Sequence, residues 1–126
     1  MEYLPEKIGR FEVISFVGRG ATGVVYQARD PVIDRVVAVK RISLGDLLPD
    51  DQKEEFTQRF LREAKAAGGL SHPNIVIIYD LGEDEGVPFI AMEYLAGASL
   101  TRLMKDRGPL PLAEAMAIVK QVALGL

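Results

Sequence analysis

The sequence predicts an α+β fold, with one sheet of five strands and one long helix, because two kinds of hydrophobic periodicity follow each other along the chain. Stretches rich in β-branched and aromatic residues are typical of strands. They occur at 11–19, 24–30, 35–42, 75–81 and 87–94, and the acidic stretch at 82–86 is predicted to be a hairpin loop. After the third stretch, apolar residues recur at helical spacing over 51–67, as expected of a helix packed on a sheet. Two further helices are predicted, one at 99–107 with Ser99 as its N-cap and one from Pro111 to the last residue.

Composition limits the possible functions of the 126 residues. Hydrophobic residues make up 48% and charged residues 26%, which indicates a single packed domain. The net charge of −3, with scattered basic residues, argues against nucleic-acid binding. The absence of cysteine excludes disulfides and thiolate metal sites. No apolar run reaches the ~20 residues of a membrane span, and the first residues do not form a signal peptide, so a cytoplasmic location is expected.

Three glycines between the first two predicted strands form the pattern around which the chain is organised. Gly18, Gly20 and Gly23 have G-x-G-x-x-G spacing. Because glycine lets the backbone approach a ligand closely, a strand–loop–strand hairpin of this kind can cover a phosphate group. The pattern is weak by itself, since glycines also serve ordinary hairpins.

The third predicted strand carries a lysine on an apolar face. Alternation along 35–42 places Lys40 on the same side as Val36, Ala38 and Ile42. A solvent-directed lysine at the end of a strand is the simpler interpretation. A lysine that faces a ligand is the other.

The helix predicted at 51–67 carries a glutamate close to its apolar stripe. Asp51 and Glu54 can form a capping box, and Gly68-Gly69 is a typical end signal. The apolar stripe comprises Phe56, Phe60, Ala64 and Ala67. Glu63 lies seven residues after the first of these, so we expect it on the buried side, where a carboxylate needs a cation.

Two common phosphate-binding motifs do not fit this pattern. A Rossmann site requires a helix after the glycines, but the sequence continues with the predicted strand Val24-Val25-Tyr26-Gln27. A Walker A loop requires Lys-Ser or Lys-Thr after the glycines, and neither follows here.

The ordered motifs resemble the small lobe of a protein kinase over residues 11–126, most of all that of bacterial serine/threonine kinases of the eukaryotic-like (Hanks) type. The matching segments are Gly18-x-Gly20-x-x-Gly23-x-Val25, Val37-Ala38-Val39-Lys40, Phe60-Leu61-Arg62-Glu63-Ala64, Leu70-Ser71-His72-Pro73-Asn74-Ile75-Val76 and Ala91-Met92-Glu93-Tyr94-Leu95. The resemblance implies a five-stranded antiparallel sheet with one long C-helix. It divides the chain into a lead-in at 1–10, an ATP-binding lobe at 11–95, and the hinge exit with the first two helices of an incomplete large lobe at 96–126.

The resemblance also implies a nucleotide site with assigned roles. Lys40 would pair with the α- and β-phosphates, Glu63 would hold Lys40, and Met92 would be the gatekeeper at the back of the pocket. Backbone groups of Glu93 and Leu95 would meet the adenine edge. The full set of implied nucleotide contacts is Val17, Gly18, Arg19, Gly20, Ala21, Thr22, Gly23, Val25, Ala38, Lys40, Met92, Glu93 and Leu95.

By this resemblance the parent protein transfers the γ-phosphoryl group of Mg-ATP to protein serine or threonine hydroxyls. The family's H-R-D and D-F-G motifs are absent from the 126 residues, whose single histidine is His72. We therefore expect no metal site and no phosphoryl transfer from this chain alone. The alternatives are a pseudokinase-like nucleotide-binding or scaffold module and a simple nucleotide binder.

The last predicted helix suggests self-association. Its apolar side is predicted to comprise Ala115, Ile118, Val119, Val122 and Leu126. An apolar surface without a large lobe to cover it favours a dimer. The resemblance leaves open a membrane anchor further along the parent protein.

Overall fold

The computed structural model describes residues 4–20, 23–42, 50–69 and 71–126. Ala21, Thr22, Leu70 and the predicted connection at 43–49 lie outside the described residues. The elements, in chain order, are β1 Lys7–Ile8, β2 Phe11–Arg19, β3 Gly23–Asp30, β4 Arg35–Ile42, α1 Asp50–Gly68, β5 Ile78–Asp84, β6 Val87–Glu93, α2 Leu100–Arg107 and α3 Leu112–Gly125. No helix within these described ranges is long and apolar enough to cross a membrane.

The strands form one antiparallel sheet in the order β1-β2-β3-β4-β6-β5. The described part therefore has six strands and not the predicted five. The additional strand β1 lies in the predicted lead-in and pairs Lys7 with Glu12 and Ile8 with Phe11. Two residues are too few to produce a recognisable periodicity, which is why the sequence did not indicate this strand.

The hairpin of β5 and β6 differs from its prediction. The strand predicted at 75–81 runs instead from Ile78 to Asp84, so the acidic stretch expected to be loop is paired. The chain turns at Glu85 (φ 52°) and Gly86 (φ 79°), where two consecutive positive φ angles are typical of a tight type I′ hairpin. Upstream, the Ile75 N–H donates to the His72 carbonyl at 3.1 Å, which makes this stretch a turn.

Strand alternation gives the sheet two different faces. The core face carries the closed hydrophobic cluster of Ile8, Phe11, Val24, Tyr26, Ala28, Val37, Val39, Phe89 and Ala91. The opposite face, called the lysine face below, carries Val25, Ala38, Lys40, Ile90 and Met92. Burial on the lysine face is uneven, because Ala38 and Ile90 are buried while the other three side chains are partly exposed.

Helix α1 packs against β5 and β6. Its Ala64 is buried, and a Cβ built on Gly68 would lie 3.9 Å from the Ile78 side chain. Ile78 pairs with Met92, so α1 lies on the lysine-face side of β5. The helix begins at Asp50, one residue before the predicted start.

The chain divides into two compact units. The first comprises Met1–Leu70 and Ile77–Tyr94, and contains the sheet and α1. The second comprises Ser71–Val76 and Leu95–Leu126. Within the second unit, Ser99 caps α2 as predicted, and Arg107 holds Glu114 of α3 through two hydrogen bonds of 2.9 and 3.1 Å. Pro111 is the N-cap of α3 and not its first helical residue.

Candidate functional site

The register of three neighbouring strands brings four of the predicted site residues together on the lysine face. Val25 of β3 lies directly opposite Lys40 of β4, and Ala38 of β4 lies directly opposite Met92 of β6. Directly opposed residues on one face have Cβ atoms about 5 Å apart. The result is a short apolar surface with one ammonium group beside it.

Lys40 is half-buried, and its side chain forms no ion pair or hydrogen bond with any residue that the structure describes. A cation on an apolar strand face usually has a carboxylate partner or extends into water. Lys40 is therefore a charge that an anionic ligand can use.

The glycine loop begins where β2 and β3 meet. Gly18 pairs with Val25, Arg19 pairs with Val24, and the Gly20 N–H donates to the Gly23 carbonyl at 2.8 Å. Of the predicted contacts in this loop, the described residues Gly18, Arg19, Gly20 and Gly23 thus lie at the end of the β2–β3 hairpin. Because the Gly20 N–H donates within the loop, it is not available as a donor to a phosphate.

The three glycines of the motif differ in their surroundings. A Cβ on Gly23 would collide with the Arg41 carbonyl oxygen, so packing between β3 and β4 requires glycine there. A Cβ on Gly18 or Gly20 would meet nothing within 4 Å, and neither residue has a positive φ angle. The structure itself therefore makes no demand for glycine at these two positions, and the open space fits a ligand that approaches the backbone.

Val17 and the residues at the end of β6 have distinct positions. An irregularity in the pairing between Phe16 and Gly18 leaves Val17 without a cross-strand partner, and it is 51% exposed. The Glu93 N–H donates to the Ile77 carbonyl at 2.9 Å, so this N–H is not available as a donor to a bound base. Leu95 belongs to the second unit and is exposed.

The expected burial of Glu63 is wrong. Its side chain is 69% exposed and pairs with Arg59, one turn earlier in α1, at 3.3 Å. The buried side of the helix is centred on Ala64, with Phe60 and Leu61 half-buried beside it. Consecutive helical residues are rotated by about 100°, so Glu63 lies at the edge of that side. The spacing from Phe56 was misleading because Phe56 lies at this same edge, within about 20° of Glu63, and is itself only half-buried. The structure thus does not bring Glu63 to Lys40.

Sequence reasoning missed a charged cluster at the edge of the core face. Arg10 donates to both carboxylate oxygens of the buried Asp30, at 3.4 and 3.2 Å, and to Asp80 at 2.7 Å. The Arg10 hydrogen bonds hold the pKa of Asp30 below its usual value, while Asp30 and Asp80 raise the pKa of Arg10. These residues are far apart in sequence and no local pattern joins them. The one local signal was a strand ending at Asp30, directly before Pro31.

Comparison with known proteins agrees with this geometry. The model of the protein kinase domain family matches residues 11–126. The serine/threonine-protein kinase PrkC of Bacillus subtilis is 42% identical over 114 residues, which cover 90% of this chain and 17% of PrkC. PknD of Mycobacterium tuberculosis is 42% identical over 121 residues, which cover 95% of this chain and 18% of PknD. The crystal structure of the M. tuberculosis PknI kinase domain superposes with a TM-score of 0.80 at 35% identity, over 96% of this chain and 48% of that domain.

The curled antiparallel sheet with α1 on one side is the small lobe of a protein kinase fold. The chain belongs to the protein kinase family, and its relatives are bacterial serine/threonine kinases. It spans about half of a solved kinase domain and less than a fifth of PrkC or PknD. The predicted fold class and the predicted family are therefore confirmed, with one strand more than expected.

Proposed function

We propose that this chain is the ATP-binding part of a protein serine/threonine kinase that transfers the γ-phosphoryl group of Mg-ATP to protein hydroxyls. The observation that carries the proposal is the open space at Gly18 and Gly20, near a lysine whose side chain has no partner among the described residues. Neither packing nor backbone conformation explains these glycines. A bound phosphate chain explains both them and Lys40.

Each residue of the site has a physical role in this proposal. Val17, Val25 and Ala38 offer apolar surface to a flat base, and Met92 bounds it on the next strand. Lys40 contributes a point charge to the phosphates. ATP, when bound, supplies the phosphoryl group that is transferred.

Glu63 has a conditional role. It is paired with Arg59 at the helix surface, and we propose that it reaches Lys40 only after α1 rotates or shifts. Helix movements of this size are a common form of switching. Lys40 alone would hold the phosphates in the arrangement seen here, which predicts weak ATP binding.

The proposal is tested by titrating the chain with a fluorescent ATP analogue and displacing the analogue with ATP. Lys40→Met should weaken ATP binding about tenfold, equivalent to about 1.4 kcal/mol. The matched control is Lys120→Met, which removes the same charge from an exposed position on α3. Equal affinity of the wild type and Lys40→Met would contradict the proposal.

We further propose that these 126 residues alone transfer no phosphoryl group, because the sequence contains no H-R-D or D-F-G motif. The test is incubation with radiolabelled ATP, Mg²⁺ and a generic protein substrate. Metal-dependent labelling that Lys40→Met abolishes would show that this expectation is wrong.

The Arg59–Glu63 pair favours one alternative, a pseudokinase-like scaffold in which Lys40 and Glu63 never meet. Such a module would bind nucleotide with the same affinity in the presence and absence of Mg²⁺, and the parent reading frame would lack the two missing motifs. A parent that encodes both motifs favours the kinase.

Self-association through α3 is the remaining element of the proposal. Ala115 and Ile118, expected on the open surface, are half-buried. Val119, Val122 and Leu126 are exposed as expected, and the large apolar side chains of Leu112, Met116 and Leu124 are exposed as well. We propose that they pair two copies in the cytoplasm. Light scattering that shows a monomer at high concentration would contradict the pairing.

A further inference from the structure

Strand β2 departs from regular pairing with β3 at two places. Ile14 and Val17 have no partner on β3, because the pairing shifts by one residue at each of them. Each is therefore the extra residue of a β-bulge, and both side chains are exposed. Bulges beside functional sites commonly redirect a side chain. The two bulges enclose Ser15 and Phe16.

The second bulge places two consecutive residues on the lysine face. Phe16 lies directly opposite Tyr26, a member of the core cluster, so Phe16 is on the core face. Successive residues of a strand alternate between the faces, which places Val17 on the lysine face. Gly18 lies opposite Val25 and is therefore on the lysine face as well. Regular alternation would send one of these two residues to the core face, so the bulge is what allows both to face the proposed ATP site.

The residues between the bulges are held on both faces of the sheet. On the lysine face, the Ser15 hydroxyl donates to Oε1 of Gln27 at 3.0 Å, and both residues are half-buried. On the core face, the Phe16 ring meets the Tyr26 ring edge-on, with the ring centroids 6.4 Å apart. A slip of β2 by one residue would exchange the faces of Ser15 and Phe16. Because the slip would break both contacts, the two contacts together fix the register that determines where Val17 lies.

We propose that Ser15 and Gln27 are positioning residues of the nucleotide site. Their hydrogen bond holds the Val17 side chain over Val25, where the two valines meet the base of ATP. Gly18, opposite Val25, has no side chain, so Val17 is the residue of this part of β2 that can cover Val25. The identity of the ligand rests on the proposed function, whereas the position of Val17 does not depend on ATP. The hydrogen bond should therefore matter for the adenosine part of ATP and not for the triphosphate.

The test compares Ser15→Val with Ser15→Thr, because the two new side chains have nearly the same shape and only threonine retains the hydroxyl. Adenosine and inorganic tripolyphosphate are used separately to displace a fluorescent ATP analogue. Ser15→Val should weaken adenosine binding about fivefold, as expected for the loss of one hydrogen bond, and leave tripolyphosphate binding within about twofold of the wild type. Ser15→Thr should bind both compounds like the wild type.

The matched control is Glu12→Val, which removes a side-chain contact between the same two strands but before the first bulge. Glu12 accepts a hydrogen bond from Arg29 of β3 at 3.4 Å. Its loss should leave adenosine affinity unchanged. Equal weakening of adenosine binding by Glu12→Val and Ser15→Val, or by Ser15→Val and Ser15→Thr, would overturn the proposal. An equal loss of affinity for tripolyphosphate and adenosine in Ser15→Val would also overturn it.

A measurement without ligand separates this proposal from the proposed function. An NOE between methyl groups of Val17 and Val25 should be present in the wild type and in Ser15→Thr, and should be lost in Ser15→Val. A wild type that shows this NOE but binds no ATP would contradict the proposed function and support the position of Val17. A wild type that binds ATP without the NOE, or an NOE of equal strength in Ser15→Val, would overturn the positioning role alone.

Discussion

The two faces of the sheet are made by the same strands, yet the charged side chain on one face is paired and the one on the other face is not paired with any described residue. At the edge of the core face, the carboxylate of Asp30 is 3% exposed and both its oxygens accept hydrogen bonds from Arg10. On the lysine face, Lys40 is half-buried without any partner among the described residues. A buried charge is costly unless it is paired. The paired charge therefore contributes to the fold, and the unpaired one is available to a ligand.

Two glycines at the end of the β2–β3 hairpin also differ in role, since Gly23 is needed for packing and Gly20 faces open space. Replacing them gives the largest predicted effect on stability. Gly23→Ala places a Cβ against the Arg41 carbonyl and should lower the free energy of unfolding by about 3 kcal/mol, at the upper end of overpacking. Gly20→Ala, in open space, should change it by less than about 0.5 kcal/mol while weakening ATP binding. Urea unfolding measures both. Similar losses for the two variants would remove the distinction between a packing glycine and a ligand glycine.

Valines on the two faces should differ by a smaller amount. Val39 is fully buried on the core face, so Val39→Ala should cost about 2 kcal/mol. Val25 is half-buried on the lysine face, and Val25→Ala should cost about half as much but also weaken ATP binding. Urea unfolding and nucleotide titration of the same samples check this. A greater loss of stability in Val25→Ala would mean that the lysine face is packed like the core.

Acid should act on the core face through Asp30. Because its pKa is lower in the folded chain than the unfolded value near 3.9, its contribution is complete above about pH 4 and is lost as the pH falls through the folded value. Asp30→Asn should be less stable at pH 7 and should lose less further stability below about pH 4 than the wild type. Thermal unfolding from pH 7 to pH 2 measures the difference. Glu55→Gln, an exposed carboxylate on α1, is the control and should follow the wild type.

The smallest effect concerns the helix that carries Glu63. Arg59→Gln breaks an exposed pair four residues apart, which is worth about 0.3–0.5 kcal/mol. The movement of α1 that brings Glu63 to Lys40 then no longer has to break this pair, so ATP affinity should rise by up to about twofold. Arg102→Gln breaks the equivalent exposed pair with Asp106 on α2 and should leave ATP affinity unchanged. A fall in ATP affinity in Arg59→Gln would show that Arg59 does not compete for Glu63.

Local pattern predicted most of the fold. The bounds of β2 and β4 and the cap of α2 are as expected, because β-branched runs and Ser99 are strong local signals. The shift of β5 towards the C-terminus was not predictable, since it depends on the turn at His72 and on an edge position where acidic residues are tolerated. The ion pair between Arg10 and Asp30 depends on contacts across the sheet, which sequence periodicity does not reveal.

The candidate site was predicted in part for the same reason. Strand alternation has a period of two, so the shared face of Ala38 and Lys40 followed directly from the sequence. That Val25 and Met92 lie opposite them required the register of three strands. Helical spacing is less decisive, because it does not determine whether a residue at the edge of an apolar stripe faces the core or the solvent. Glu63 is such a residue, and it faces the solvent.

The central claim, that ATP binds on the lysine face, is tested most directly by methyl NMR during an ATP titration. Side-chain methyl groups report on one face of a sheet, whereas backbone amides report on both. ATP should shift the methyl signals of Val25, Ala38 and Met92 and leave those of Ala28, Val37 and Ala91 unchanged. Shifts of equal size on both faces, or none on the lysine face at saturating ATP, would contradict the account.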